Sequence, residues 1–176
     1  MEAFVSEHIQ ERNATHELEA RLGTFTHQGF VPGVPKGDFY KLKSQMDASD
    51  TWDKTTSERV RDVIVGQYRN HHHENGLVTC TKKQKRASKD FDNVRISVCE
   101  EIQCEPVEVQ PTSFIRHKER WSYFKGIWRY DLTHVTTANT DVYEIELELY
   151  DTKKALAYTS EYLATSFVKK VKQLSN

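Results

Sequence analysis

Hydrophobic and polar positions alternate with a period of two through most of this chain, the pattern of strands that bury one face. The first such run extends from His16 to Phe25. It follows a short segment, residues 3–12, in which Phe4, Val5 and Ile9 share one side of a helix. A turn-rich stretch comes next, marked by Gly29, Pro32, Gly33, Pro35 and Gly37, before Phe39, Leu42 and Met46 return to helical spacing. Residues 47–58, rich in Asp, Thr and Ser, read as a loop. Strand-like runs then occupy residues 59–69, 77–86, 94–103, 114–124, 127–136 and 142–150, with turn signals at 71–76, 89–93 and 137–140. The chain closes on helical periodicity over residues 153–174, with Leu156, Leu163, Phe167, Val171 and Leu174 on one side. No internal repeat or linker interrupts it. The pattern predicts a single domain, 1–176, of mainly β (α+β) class: a closed barrel or a strongly curved sheet flanked by helices.

Which residues alternate is more informative than the alternation itself. Period two puts Glu17, Glu19 and Arg21 on one strand face, backed by Leu18, Ala20 and Leu22. Glu144, Glu146 and Glu148 share a face over Ile145, Leu147 and Leu149, and Arg116, Lys118 and Arg120 do the same with positive charge. Each could be an ordinary amphipathic strand with a solvated face. Like charges stacked along one strand repel, however, and add nothing to folding. Two acid-rich strands and a basic one in one small domain point to a shared polar interior. There the carboxylates would converge on a hard divalent cation and the basic strand would grip phosphate oxygens, the minimum for metal-assisted phosphoryl transfer to water.

Composition narrows the picture. At 176 residues, with 37% hydrophobic and 29% charged, the chain suits one soluble domain whose surface or interior is unusually charged. A net charge of −1 excludes a uniformly basic nucleic-acid binder, so any polyanion site depends on local segregation. Cys80, Cys99 and Cys104 fit neither an even disulfide set nor a zinc spacing, and read as reduced thiols of an intracellular protein, nuclear or cytoplasmic. No signal peptide or membrane-spanning run is visible. The triplet His71, His72 and His73 reads as a solvated loop. The sequon Asn13-Ala14-Thr15 has no secretory context, and Trp52, Trp121 and Trp128 read as packing rather than base-stacking groups.

The charged motifs resemble a known family. Glu17-Leu18-Glu19-Ala20-Arg21-Leu22-Gly23 and Glu144-Ile145-Glu146-Leu147-Glu148-Leu149 look like the paired metal-binding strands of the triphosphate tunnel metalloenzymes. Within that group, residues 115–123, 129–135 and 93–101 are similar to the RNA triphosphatases of mRNA capping in fungi, protozoa and large DNA viruses. The resemblance implies an eight-stranded antiparallel barrel that hydrolyses the γ-phosphate of 5′-triphosphate RNA. Implied metal ligands are Glu17, Glu19 and Glu148, for Mg²⁺ or Mn²⁺, with Glu144 and Glu146 supporting the metal and its waters. Arg116, Lys118 and Arg120 would line the phosphate path, Glu101 would orient or deprotonate water, and Asp131 and Thr133 would brace the basic side chains. Arg95 lies in a matching motif. A further family arginine fits Arg69, with Arg61 as rival, and of Lys83 and Lys85 the preferred tunnel lysine is Lys85.

Arg21 stands where the nucleotide cyclase and thiamine-triphosphatase branch carries Lys, which leans away from that branch. The compact chain leans viral rather than fungal. Two alternatives stay open: a hydrolase of free NTP, tripolyphosphate or thiamine triphosphate, and a non-catalytic polyanion or RNA-binding module. Implied partners are the 5′-triphosphate end of nascent RNA, NTP as a surrogate substrate and an RNA guanylyltransferase, for a protein that is a monomer or homodimer without a membrane role.

Overall fold

A computed structural model describes residues 1–9 and 16–175. In chain order the elements are α1 (Glu2–Ile9), β1 (His16–Thr26), β2 (Gly29–Pro32), α2 (Lys36–Asp47), β3 (Lys54–Val65), β4 (Tyr68–His73), β5 (Val78–Phe91), β6 (Val94–Cys104), β7 (Phe114–Lys125), β8 (Trp128–Thr136), β9 (Asp141–Leu149), α3 (Thr152–Ala155) and α4 (Ser160–Leu174). The strands run antiparallel in the order β1-β6-β5-β4-β3-β7-β8-β9, and β9 pairs back onto β1, which closes an eight-stranded barrel. The ninth strand, β2, hangs on the end of β1 as a short hairpin.

The barrel is packed inside out. The aliphatic face of β1 (Leu18, Ala20, Leu22) joins that of β6 (Val94, Ile96, Val98) and of β9 (Ile145, Leu147, Leu149) in one core outside the wall. Helices cover it. Helix α4 contributes Leu163, Ala164, Phe167, Val168 and Val171 and is started by Thr159, whose hydroxyl accepts from the Tyr162 N–H. Val5 and Ile9 of α1 and Phe39 and Met46 of α2 complete the layer. Apolar burial therefore lies between wall and helices, and the lumen is left to polar side chains. Trp128 packs on Phe167 and Trp121 on Phe39, while Trp52 lies between Tyr123 and Tyr130 and donates to the Met46 carbonyl.

Several predicted boundaries are corrected. The loop expected over 47–58 is strand from Lys54, held by pairing with β7 rather than by its own composition. The run 59–69 is two strands, folded back at Gly66, which adopts a φ of 59° that glycine reaches without strain. The histidine triplet lies in β4, not in a loop. The turn expected at 89–93 shrinks to Asp92-Asn93, with Asp92 at φ 52°, so β5 is longer than predicted. The turn-rich stretch after β1 contains β2, and the C-terminal helical segment divides into α3 and α4, leaving Leu156 exposed. The end of the predicted helix 3–12 and the sequon Asn13-Ala14-Thr15 lie outside the described residues.

Candidate active site

Period two aims one face of every barrel strand inward, and the inward faces enclose a cavity of about 300 Å³. Strand β1 contributes Glu17, Glu19 and Arg21; β9 contributes Glu144, Glu146 and Glu148; β7 contributes Arg116, Lys118 and Arg120. Glu58, Arg69, His71, Lys83, Glu101 and Arg129 reach in from β3, β4, β5, β6 and β8. Seven carboxylates and seven guanidinium or ammonium groups line this one space. The closing register places Glu19 directly opposite Glu148 and Arg21 opposite Glu146.

Every one of these cations has an acidic partner. Lys83 Nζ lies 2.9 Å from Glu17 and 3.2 Å from Glu19. Arg116 Nη2 lies 3.0 Å from both oxygens of Glu144, Arg129 holds Glu148 at 2.5 Å, and Arg21 pairs with Glu146. Behind the lining, Asp131 accepts from Ser122 and from Arg129 and lies 3.5 Å from Arg120, whose Nε donates to Thr133. Asp62 is fully buried, with Lys118 at 2.8 Å, Arg69 at 3.8 Å and a 2.8 Å hydrogen bond to His71. The second nitrogen of His71 reaches the Thr81 hydroxyl at 2.9 Å, so this imidazole bridges β3 and β5.

The carboxylates differ in their proton affinity. Burial, a hydrogen bond to Glu101 and the charge of Glu148 push Glu17 up to about 8, against the pull of Lys83. Burial also raises Glu148, to about 7, although Arg129 opposes it. Burial alone would raise Asp62 too, but the His71 hydrogen bond and the Lys118 charge outweigh it and bring Asp62 down to about 2. Glu101 is likewise lowered despite burial, by bonds from Glu17 and Thr81 and by Lys83. For Lys118 burial and the Arg120 charge prevail over Asp62, and its affinity falls below the ordinary lysine range.

The fold brings most of the residues singled out in the sequence to the cavity: Glu17, Glu19, Arg21, Arg69, Glu101, Arg116, Lys118, Arg120, Glu144, Glu146 and Glu148, with Asp131 and Thr133 buried behind them. Two expectations, Lys85 and Arg95 in the tunnel, are corrected. Lys83, not Lys85, is the tunnel lysine: Lys83 sits opposite Glu101, whereas Lys85 is exposed beside a bulge where the β5–β6 register shifts. Arg69 faces the cavity, and its rival Arg61 points to solvent opposite His72 and His117. Arg95, opposite Arg21 on β1, is taken up by a bidentate pair with Asp90 and packs over the Phe30 ring of β2 at 4.7 Å, and it does not line the cavity. Sequence reasoning misses Arg129, Asp62, Glu58 and His71. Arg129 is within its reach, since it shares by period two the face of Asp131 and Thr133.

Oxygen donors suit a hard cation, and the Glu17, Glu19 and Glu148 set fits one on chemical grounds. Two of the three are driven toward the protonated form by burial and mutual repulsion, a penalty that a divalent ion would remove. Among the described residues no three acidic, histidine or cysteine side chains already cage one point. The Lys83 ammonium occupies the place between Glu17 and Glu19, and Arg129 occupies Glu148.

Comparison with known proteins agrees with this architecture. The RNA triphosphatase Pct1 of S. pombe superposes with a TM-score of 0.76 at 18% identity, covering 98% of this chain and 90% of that one. Pct1 in complex with the Spt5 CTD gives a TM-score of 0.74 at 18% identity, over 98% and 89% of the two chains. A putative adenylate cyclase from Bacillus halodurans shares the fold more distantly, at a TM-score of 0.50 and 17% identity over 92% and 91%. No curated protein sequence matches significantly. A family model described as mRNA capping enzyme, beta chain, matches residues 86–176, a span that holds Glu101 and the charged faces of β7, β8 and β9. That match covers more than half of the sequence, and the chain belongs to this capping-enzyme family of tunnel-fold RNA triphosphatases.

Proposed function

We propose that this chain hydrolyses the γ-phosphate of 5′-triphosphate RNA to leave a 5′-diphosphate end for capping, with Mg²⁺ or Mn²⁺ as its cofactor. The observation that carries the reading is the charge of the tunnel cavity, where seven cations and seven carboxylates line one space and each cation already has an acidic partner, either in the lining or in Asp62 and Asp131 behind it. A triphosphate entering alone would find no unspent positive charge. A divalent ion would offset part of the triphosphate's charge, and Glu17, Glu19 and Glu148 are the residues that would hold it. When bound, such an ion supplies neutralisation of phosphate charge and polarisation of the phosphoryl oxygens.

The protein's own groups do the rest. Lys83, released from Glu17 and Glu19, is free to meet phosphate oxygens on its flexible stem. Lys118 and Arg120 hold the γ-phosphoryl oxygens, where charge shifts during transfer, and Arg116 and Arg69 hold the remaining phosphates. Asp62, Asp131 and Thr133 fix the donors in place before substrate arrives. Glu101, lowered toward its ionised form, accepts a hydrogen bond from a water and takes its proton. The water oxygen bonds to the γ-phosphorus, the bond from that phosphorus to the bridging oxygen breaks, and the electron pair leaves on the β-phosphate. Product analysis tests the reading. It requires inorganic phosphate and RNA diphosphate; pyrophosphate or a cyclic nucleotide would place the chain in the cyclase branch. An RNA guanylyltransferase that consumes the diphosphate end is the implied partner.

A further inference from the structure

The outer wall of the barrel carries a second cavity of about 620 Å³. Its floor is a row of directly opposed residues crossing four strands: His72 on β4, Arg61 on β3, His117 on β7 and Thr136 on β8. Opposed residues on adjacent strands project from the same face, and strands lie about 4.8 Å apart, so the row extends for roughly 14 Å. Arg61 is exposed and has no acidic partner among the described residues, unlike Arg59 nearby, which is bound to Glu119 at 2.9 Å. The Nε2 atom of His72 is out of water with no hydrogen-bond partner among the described residues. Beside the row, the imidazole of His134 stacks on Tyr143 at 4.7 Å and 9°; Tyr143 is backed by Phe39 and Tyr40, so the outer face of His134, whose Nε2 lies 2.7 Å from Asp141, is the flat aromatic shelf.

The groove adjoins the tunnel. Pairing of β4 with β3 ends at His73 opposite Val60, while β3 continues to Lys54 on β7 alone, so the barrel wall has a lip there. Val60, His73 and Lys118 border both cavities. A chain attached to a triphosphate in the tunnel must leave over one of its rims, and this rim opens onto the Arg61 guanidinium and the His117 imidazole, with Glu74 and the Arg59–Glu119 pair at its side. Guanidinium and imidazole groups donate to phosphate oxygens, and a flat aromatic face accepts an unpaired base. An acidic peptide would use the cations but leave the shelf and the link to the tunnel unexplained.

We infer that this groove binds the single-stranded RNA that follows the 5′-triphosphate, with Arg61 and His117 on its phosphodiesters and the imidazole of His134, backed by Tyr143, under a base. The inference rests on the triphosphatase reading and names what distinguishes RNA from a free triphosphate. The test compares the parent with Arg61→Ala/His117→Ala, both exposed positions outside the tunnel, on tripolyphosphate and on a short 5′-triphosphate oligoribonucleotide. KM for the RNA should rise about tenfold, and the slope of its salt dependence should flatten by about 0.7 for each phosphate that the protein no longer neutralises, while kcat and the tripolyphosphate constants stay unchanged. An unchanged KM for RNA overturns the groove, and an equal rise for both substrates assigns these residues to the tunnel instead. A separate arm measures anisotropy of labelled 5′-hydroxyl RNA, which needs no hydrolysis. Weaker binding by the variant upholds the groove even if the parent cleaves only tripolyphosphate, an outcome that would overturn the triphosphatase reading alone. Equal RNA binding by parent and variant, or preference for a polyglutamate peptide over RNA, overturns the groove. The single charge reversal Arg61→Glu gives the same readout from one surface position, should the double variant express poorly.

Discussion

Replacing Asp62 by Asn removes one charge from the tunnel wall and leaves its shape almost intact. Asp62 is fully buried and faces Lys118 at 2.8 Å, Arg69 at 3.8 Å and His71 at 2.8 Å, so the variant strands positive charge where water cannot reach it. The pKa of Asp62 gives a scale for the loss. A fall from 3.8 to about 2, at about 1.36 kcal/mol per pH unit, corresponds to about 2 kcal/mol of stability carried by the ionised form. The folded-state value lies below the unfolded one. The contribution is therefore fully present above about pH 5, roughly half gone at pH 3, and lost as pH falls through 2. Urea unfolding of both proteins between pH 3 and pH 7 reads it directly, and at neutral pH Tm should drop by about 4–8 °C for a chain of this size. A difference within 0.5 kcal/mol at pH 7 (roughly the scatter of neutral surface changes), or one that widens as pH falls, would refute the reasoning.

Further outcomes follow from the same geometry. Glu17→Ala, Glu19→Ala and Glu148→Ala should each abolish turnover and weaken Mn²⁺ binding by calorimetry while the barrel stays folded; activity undiminished in one of them removes that residue from the metal set. Lys118→Ala and Arg120→Ala should lower kcat about 10²-fold or more, the scale of losing one preorganised donor, and Arg120→Lys should restore only part of it because a point charge cannot reproduce the guanidinium fork. Unchanged kcat with a raised KM would mean that these groups only bind. Lys83→Ala should impair hydrolysis and Lys85→Ala should not, which kinetics of the pair will decide.

The acid-rich and basic strands are legible in the sequence because period two and uniform sign survive any uncertainty in register. Glu17 and Glu19, the three glutamates of β9 and the basic triad of β7 each declare a face without knowledge of a neighbour. Strand β4 is hidden, because Gly66 is a single glycine inside one strand-like run and the mainly polar residues after it end in a histidine triplet that reads as loop. Alternation treats Lys83 and Lys85 alike; only the bulge after Lys85 and the opposition of Lys83 to Glu101 separate them. Asp62 gives no local signal. It stands between Arg61 and Val63, and its meaning comes from His71 and Arg69 on one neighbouring strand and Lys118 on the other. Arg95 misleads for the opposite reason, since its motif matches while its side chain is claimed by Asp90. The pattern thus names the face of a strand, and the register decides which members of that face meet.

The central claim is that a divalent ion and the tunnel's carboxylates together cleave the terminal phosphate of RNA. Release of labelled phosphate from γ-labelled 5′-triphosphate RNA, followed across a titration of Mg²⁺ or Mn²⁺ with the Glu19→Ala protein in parallel, tests it most directly. Phosphate release that rises with the ion, stops with a chelator and is absent in Glu19→Ala is the predicted result. Release independent of the ion, or retained in Glu19→Ala, would contradict the account.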